Sequence, residues 1–363
     1  MTSAGGPSRG DPAARGPAVM PGPLRVAVVG CGDISAVHLD AILAAASSGV
    51  DGGVEPVGVC DVDEGRRAEA AARAGCPGFA DLPALLDAVA PDVVHVCTPH
   101  HRHADLAADC LARDVSVLLE KPVAHTVEDG ERLAAVAEES AGILGVCFQN
   151  RYNDTARRLR EVLDGGGLGR VLGARASVTW FRDAAYYTRR DWRARWASAG
   201  GGVLMNQAIH TLDLLQWYLG PVTDVRGTVA TLALPEVIEV EDTAALRMRH
   251  RTAAGDTVGS TVHATNGHVE NAPVGIEILT EGARVRLDTD LTVAHHDGRV
   301  EIFRPVTVAS GERAYWGNSH GLLIEDFYRH VRAGKHFWID APTGLETLRV
   351  IQAVYDQCPG LGR

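Results

Sequence analysis

The first half of the chain sets short apolar runs between longer stretches of helical spacing. Leu24–Val29 is a mostly apolar run closed by Gly30 and predicts a buried strand. Further strands are expected at 54–60, 93–97, 115–119 and 143–148, and helices at 34–46, 63–74, 104–111 and 126–139. Strand and helix alternate over about 125 residues, the pattern of a parallel sheet covered on both faces. After residue 151 the rhythm changes. Residues 154–164 have helical spacing, 171–180 alternate like a half-exposed strand, and 186–202 form a polar, aromatic and finally glycine-rich loop. A strong helix is expected at 203–219, stopped by Gly220-Pro221. Seven strand-like runs follow at 222–234, 243–250, 257–265, 274–280, 283–287, 291–296 and 299–303, separated by turns such as Asp297-Gly298. They predict an antiparallel sheet, closed off by helices at 320–333 and 343–356.

A length of 363 residues fits about two domains. We set them at 24–150, for a dinucleotide, and 151–363, for substrate and oligomerisation, behind a Gly/Pro/Ala-rich segment, 1–23, expected to be disordered. The 46 acidic against 35 basic residues give a net charge of −11, which repels phosphate backbones and anionic lipid. Nucleic acid and membrane are therefore not expected as partners, and no run reaches the ~18 apolar residues of a membrane span. Seven widely spaced cysteines without a CxxC pair read as small buried hydrophobes in a reducing, cytoplasmic compartment. Only two of the 35 basic residues are lysines, Lys121 and Lys335. Where arginine serves wherever charge alone is needed, a retained lysine is a candidate for proton transfer, which arginine cannot perform.

Gly30-Cys31-Gly32-Asp33-Ile34-Ser35 lies at the first strand-to-helix junction. It meets two positions of G-x-G-x-x-G, with Ser35 small enough for the third. Gly30 permits the tight turn, and Gly32 lets the backbone approach a pyrophosphate at a helix N-terminus. Asp61, at the end of the second strand, is the expected acceptor of two ribose hydroxyls and favours NAD over NADP, although Arg66 and Arg67 stand near it. Thr98-Pro99-His100 and Glu120-Lys121-Pro122 each follow a parallel strand, at the carboxyl ends where ligands bind.

Gly30-x-Gly32, Thr98-Pro99-x-x-x-His103, Glu120-Lys121-Pro122, the glycine-rich run 200–213 and Glu241-Asp242-Thr243 together resemble one family. It is the glucose–fructose oxidoreductase, inositol dehydrogenase and rhizopine catabolism (Gfo/Idh/MocA) family, and the resemblance covers about residues 24–356. It implies an α/β fold: a Rossmann doubly wound parallel sheet, then a domain with a large open, mostly antiparallel sheet through which dimers or tetramers form. It also implies cofactor contacts from Gly30, Cys31, Gly32, Asp33, Ile34, Asp61, Thr98, Pro99, His100, His103, Glu120 and Lys121.

Oxidation of an alcohol needs a nicotinamide facing the C–H, a base for the hydroxyl proton and donors that hold the oxygen. The resemblance gives catalytic roles to Lys121 and His210, with Asn206 beside them where many members have Asp. Asn206, His210 and Asp213 are spaced i, i+4, i+7 and are expected to share a helix face, with Asp213 fixing the tautomer of His210. Arg151, Trp192, Arg193, Asn206, His210 and His320 are candidate substrate contacts. Trp180, Tyr186 and Tyr187 offer aromatic faces to a sugar or cyclitol ring. The acidic stretch Glu236, Glu239, Glu241 and Asp242 would suit a cationic amino sugar, and His100-His101-x-His103 belongs to the cofactor loop rather than to a metal site.

The expected function is NAD(P)-dependent hydride transfer at a secondary hydroxyl of a sugar, amino-sugar or cyclitol ring. Two other readings stay open on the same motifs. One is a redox-assisted glycosidase or lyase that uses NAD catalytically, and the other is a non-catalytic dinucleotide-binding regulator.

Overall fold

Strands buried on both faces need nearly continuous apolar sequence, and the first half of the chain supplies it. The computed structural model describes residues 22–48, 52–305 and 319–360. In it β1 (Leu24–Val29), β2 (Val54–Cys60), β3 (Gly78–Phe79), β4 (Val93–Val96), β5 (Ser116–Leu119) and β6 (Leu144–Val146) form one parallel sheet. Its order, β3-β2-β1-β4-β5-β6, reverses direction between β1 and β4, the switch point of a Rossmann sheet. Every residue of β4 and β5 is buried.

Helices α1 (Ser35–Ser48), α2 (Glu64–Ala74), α3 (Leu82–Val89), α4 (His103–Leu111) and α5 (Val127–Glu139) connect these strands. The Asp63 carboxylate caps α2 at the Arg66 N–H, and Gly75 ends it in the left-handed conformation, φ 66°. Two elements went unpredicted. Two-residue β3 is too short to show alternation, and eight-residue α3 is short, with Pro83 in its first turn behind the Asp81 cap. Residues 1–21 of the expected disordered tail lie outside the described residues.

After α6 (Asp154–Asp164), the second sheet is built from β7 (Val171–Thr179), β8 (Val222–Ala230), β9 (Thr243–Arg251), β10 (Thr257–Thr265), β11 (Gly275–Thr280), β12 (Ala283–Leu287), β13 (Leu291–His295) and β14 (Val300–Phe303). The order is β14-β13-β12-β11-β7-β10-β9-β8; only the central β7–β10 pair is parallel. Burial alternates residue by residue along β9 and β10, as in a sheet with one solvated face.

Three expectations need correction here. The strand expected over 222–234 stops at Ala230, because the Asp242 carboxylate accepts the N–H groups of Leu232, Ala233 and Leu234 and turns the chain. The loop expected at 186–202 contains α7 (Ala184–Thr188) and α8 (Trp196–Ala199). The helix expected at 203–219 is a π-helical turn, Leu204–Ala208, followed by α9 (Ile209–Leu219).

The last two helices, α10 (Ser319–Arg332) and α11 (Ala341–Tyr355), return to the first sheet. The first packs on α1 and the second on α5, while Val146 N–H donates to Ile339 O at 2.8 Å. The division near residue 150 thus follows chain order, and α10 and α11 cross it in space. Among the described residues no helix is long and apolar enough to cross a membrane.

One buried ion pair pins the two halves and corrects two site expectations. The sequence suggests Arg151 for substrate and Asp213 for His210. Instead Arg151 Nε donates to Asp213 Oδ2 at 2.8 Å and Nη2 to Oδ1 at 2.6 Å, with both residues buried. The turn after β6 aims the guanidinium at α9, where its fork matches the carboxylate, between Trp217 and Trp338. Asp213→Ala strands a buried guanidinium and is expected to cost about 3–5 kcal/mol in urea unfolding. Replacing both partners with leucine is expected to recover most of that loss.

Candidate active site

The glycine turn between β1 and α1 is fixed by packing. Gly30 has φ 91°, and a Cβ there would stand 2.7 Å from the Cys97 carbonyl at the end of β4. At Gly32 nothing lies within 4 Å of a Cβ, so open space faces its backbone. Asp61 braces this turn: Oδ2 accepts Cys31 N–H at 2.7 Å, and Oδ1 accepts Asp63 N–H at 2.8 Å. Arg66 Nη2 lies 3.4 Å from Asp61 Oδ1, and Arg67 Nη1 donates to the Asp61 carbonyl. Cys31 contributes only backbone, because its thiol points to the Cys60 carbonyl, away from the cleft.

A cavity of about 1500 Å³ runs from this turn to the junction with the second sheet. It is larger than a single small ligand needs. Gly30, Gly32, Asp33, Ile34, Asp61, Thr98, Pro99, His100, Glu120 and Lys121 line it from the first sheet. The buried Thr98 Oγ1, Gln149 Oε1 and Arg66 Nε in its wall have no partner among the described residues. An open backbone cradle at a helix N-terminus, a carboxylate beyond β2 and unsatisfied polar atoms in the wall fit a dinucleotide.

The histidines after β4 serve as struts. His100 Nδ1 donates to Ala199 O at 2.8 Å and His101 Nδ1 faces Ser198 O at 3.3 Å, joining the first sheet to α8. His103 was expected to touch cofactor. It lines the cleft, and its ring nitrogens lie on the Pro122 carbonyl, 2.7 Å, and the Thr98 carbonyl, 2.9 Å, so it also braces the two loops. The Lys121–Pro122 peptide is cis.

The candidate reacting groups meet at the glycine run before α9. A Cβ on Gly202 would collide with the Glu241 carbonyl, one on Gly201 with the Tyr355 hydroxyl, and one on Gly200 with the His125 carbonyl. This close approach lets buried Glu241 cap the helix from a neighbouring strand connection. Its carboxylate accepts Gly202 N–H at 2.7 Å, Leu204 N–H at 2.9 Å and the Tyr355 hydroxyl at 2.8 Å. The wider π turn follows, and such turns leave carbonyls outside the i→i+4 ladder. Lys121 Nζ donates to the Asn206 carbonyl at 2.9 Å and to Asn206 Oδ1 at 3.2 Å. The Asn206 amide in turn reaches the Tyr186 hydroxyl at 3.2 Å.

Burial brings Lys121 down to about 8, with Glu120 opposing and Arg193 adding to the effect. Burial and the Lys121 ammonium hold His210 far below its ordinary value, so its imidazole is neutral. With Asp213 engaged elsewhere, the buried His210 Nδ1 has no partner among the described residues. His320 lines the cleft, and its Nε2 lies 3.6 Å from Glu120 Oε1.

On the substrate side, Trp192 lines the cleft against His100, and Arg193 stacks over Tyr186 at 4.5 Å. Arg190 and Arg193 donate to Asp33 at 2.9 and 3.1 Å, linking the glycine turn to the second half. None of Glu236, Glu239, Glu241 and Asp242 lines the cleft. Glu239 pairs with Arg195, while Glu241 and Asp242 cap backbone amides. Sequence reading missed Gln149 and Asn150, which line the cleft just after β6. Their place at a strand carboxyl end is the same signal that singled out Thr98 and Glu120.

A doubly wound dinucleotide sheet joined to an open sheet, with candidate reacting side chains from both at one cleft, fits a nicotinamide-dependent oxidoreductase. The chain belongs to the Gfo/Idh/MocA family: the family described as oxidoreductase, NAD-binding Rossmann fold, matches residues 24–148, and the GFO/IDH/MocA C-terminal domain matches 156–286. Inositol 2-dehydrogenase 2 of Paenarthrobacter aurescens (strain TC1) is 29% identical over 344 residues, 92% of this chain and 95% of that protein. Its namesake from Saccharopolyspora erythraea is 30% identical over 200 residues, 54% of each, so the chain spans about half of that relative. Among solved structures, the WlbA dehydrogenase from Bordetella pertussis in complex with NADH and UDP-GlcNAcA is 30% identical. Its TM-score is 0.77, over 92% of this chain and 96% of that one. Levoglucosan dehydrogenase in complex with NADH and levoglucosan, 20% identical with a TM-score of 0.81 over 92% and 96%, shares the fold.

Asp61 holds the glycine turn as well as facing the cleft. Asp61→Ala is expected to weaken NADH binding at least ~10-fold in a fluorescence titration and to narrow the preference over NADPH, since a charged hydrogen bond is worth about 1.5–3 kcal/mol. Unchanged affinity for both would remove it from the site.

Proposed function

We propose that this chain is an NAD-dependent dehydrogenase of a secondary hydroxyl on a sugar or cyclitol ring, with Lys121 as the proton carrier. One observation carries the reading: the Lys121 ammonium sits on Asn206 beside a neutral His210, in the cleft that also presents the glycine turn. NAD, when bound, supplies the hydride acceptor. Lys121 in its amine form takes the hydroxyl proton, and the neutral imidazole of His210 holds the same oxygen by a hydrogen bond. Asn206 orients the lysine but cannot remove a proton, so the proton stays with Lys121 and His210.

The feature that favoured a cationic amino sugar lies outside the cleft; Arg182 and Arg189 line it together with Asp154, Asp183 and Asp288, while Arg190 and Arg193 pair with Asp33. A neutral ring suits that mixed wall, and Tyr186 and Trp192 offer faces to its C–H groups. The UDP-GlcNAcA bound by the 30%-identical WlbA dehydrogenase supports an anionic ring. Asp61 supports NAD over NADP. The open face of the second sheet, with Arg175, Arg247, Thr261 and His263 exposed, is where we expect a second copy to dock. Seven free cysteines fit a reducing compartment such as the cytoplasm.

A spectrophotometric screen of neutral sugars, uronates, amino sugars and cyclitols with NAD and NADP tests the reading. We expect NAD reduction with a neutral or acidic ring; turnover of none of these classes would reject it. Lys121→Ala is expected to lower kcat by ~10² or more with NAD binding nearly intact. For alcohol oxidation, kcat should rise as pH increases through about 8, because the base must shed its proton, and the limb should vanish in Lys121→Ala.

A further inference from the structure

Beneath the reacting centre runs a line of buried polar side chains that no step above uses. Tyr328 on α10, His95 on β4, His38 on α1 and Glu120 after β5 come from four elements, and each is at most 5% exposed. Tyr328 Oη lies 2.9 Å from His95 Nε2, His95 Nδ1 lies 2.8 Å from His38 Nδ1, and His38 Nε2 lies 3.0 Å from Glu120 Oε1. Glu120 Oε2 accepts the Lys121 N–H at 3.2 Å, and His320 approaches Oε1.

Glu120 fixes the polarity of the line. Burial alone would raise its carboxyl, but the imidazoles of His320 and His38 outweigh that and keep it ionised. A carboxylate only accepts, so His38 donates from Nε2 in either of its charge states. With His38 neutral, its Nδ1 accepts from His95 Nδ1, and His95 Nε2 accepts the Tyr328 hydroxyl. Every donor then points toward Glu120. Burial keeps His95 neutral, which agrees. A charged His38 would reverse the two outer bonds only.

Two other uses of the line fail on chemistry. Passing a proton inward to Glu120 would leave a phenolate at Tyr328, whose hydroxyl burial holds well above its ordinary value, and passing one outward would have to protonate the Tyr328 hydroxyl oxygen. The line is therefore a dead end for protons. His38, Glu120 and Cys147 have ligand atoms within 4.8 Å of one another, but burial and Glu120 keep the Cys147 thiol protonated, and His38 already bonds Glu120.

We propose that Tyr328, His95, His38 and His320 are positioning residues that hold Glu120 as a buried carboxylate, and that its charge sets the protonation of Lys121. Lys121 is faced by Glu120, by His100 and His103 from the β4 loop, by Cys147 beyond β6, by Arg193, by His210 on α9 and by His320 on α10. Glu120 is faced by His38, His95, Cys97, His100, His103, Lys121, Cys147, His210 and His320. Among the described residues Glu120 is the only carboxyl in either set. It opposes the burial that pushes Lys121 down, so losing its charge lowers Lys121 further.

The inference builds on Lys121 as proton carrier, but its test needs no substrate. The chain has two lysines, and Lys335 is exposed, so trace acylation with acetic anhydride over a pH series, read by peptide mass spectrometry, reports each one separately. We expect Glu120→Gln to lower the Lys121 midpoint by about 1–3 pH units. His38→Leu and Tyr328→Phe should shift it the same way by less, and His38→Gln, which keeps a donor near Nε2, should restore it. The Lys335 profile should not move. A Lys121 midpoint that is unmoved or raised in folded His38→Leu or Tyr328→Phe would overturn the proposal, as would an unmoved midpoint in Glu120→Gln. If His38→Leu does not fold, Tyr328→Phe decides, since it removes one hydroxyl and keeps the ring. Should the dehydrogenase reading fail, the substrate screen shows it and these midpoints are unaffected.

Discussion

The contact from Lys121 Nζ to the Asn206 carbonyl joins the two sheets at the point where chemistry is placed. It exists because each side is built for it. On the first sheet, β5 ends with Glu120 and Lys121 at its carboxyl end, and His103 fixes the following Pro122 carbonyl. On the other side, Glu241 seats the glycine run so closely that no side chain fits there, and the π turn follows at once. The glycines and the carboxylate cap fix the start of the turn whose Asn206 carbonyl and side chain Lys121 meets.

Charge in this region is decided by burial. Removal from water disfavours both cations, and it brings Lys121 to about 8 and His210 much lower. In the proposed reaction the two groups therefore take different parts: Lys121 changes protonation near pH 8, and His210 stays neutral. A buried carboxylate beside them would normally take up a proton, which would remove the balance. The donors aimed at Glu120 prevent that. Arginine could not replace Lys121, because its proton does not leave at any working pH.

Much of this was legible in the chain. Continuous apolar runs gave β1, β2, β4, β5 and β6, and residue-by-residue alternation gave the second sheet, because burial on two faces and on one leaves different periods. The glycine turn, Asp61, Thr98, Glu120 and Lys121 all stand at strand carboxyl ends, where position alone marks a ligand site. Partner choice was not legible. Arg151 and Asp213 are 62 positions apart, and only the turn after β6 brings them together. Nor does helical spacing reveal a π turn, since residues 203–219 carry the same apolar pattern either way. His38 and His95 looked like ordinary residues of a helix and a strand until α10 folded back and supplied Tyr328.

Besides the His100 and His101 struts to α8, a further link between the halves is electrostatic and lines the cleft. Asp33 projects from the glycine turn and takes two guanidinium groups, Arg190 and Arg193, from the turns before α8. These groups are partly exposed, so each pair is worth no more than about 1 kcal/mol. The Arg151–Asp213 pair is buried and permanent by comparison, because breaking it strands a charge away from water. The junction therefore combines one buried ion pair with weaker, partly exposed ones and with the hydrogen bonds of His100 and Lys121. Breaking the Asp33 contacts costs far less than breaking the Arg151–Asp213 pair, so the buried pair and not the exposed ones fixes how the two sheets meet.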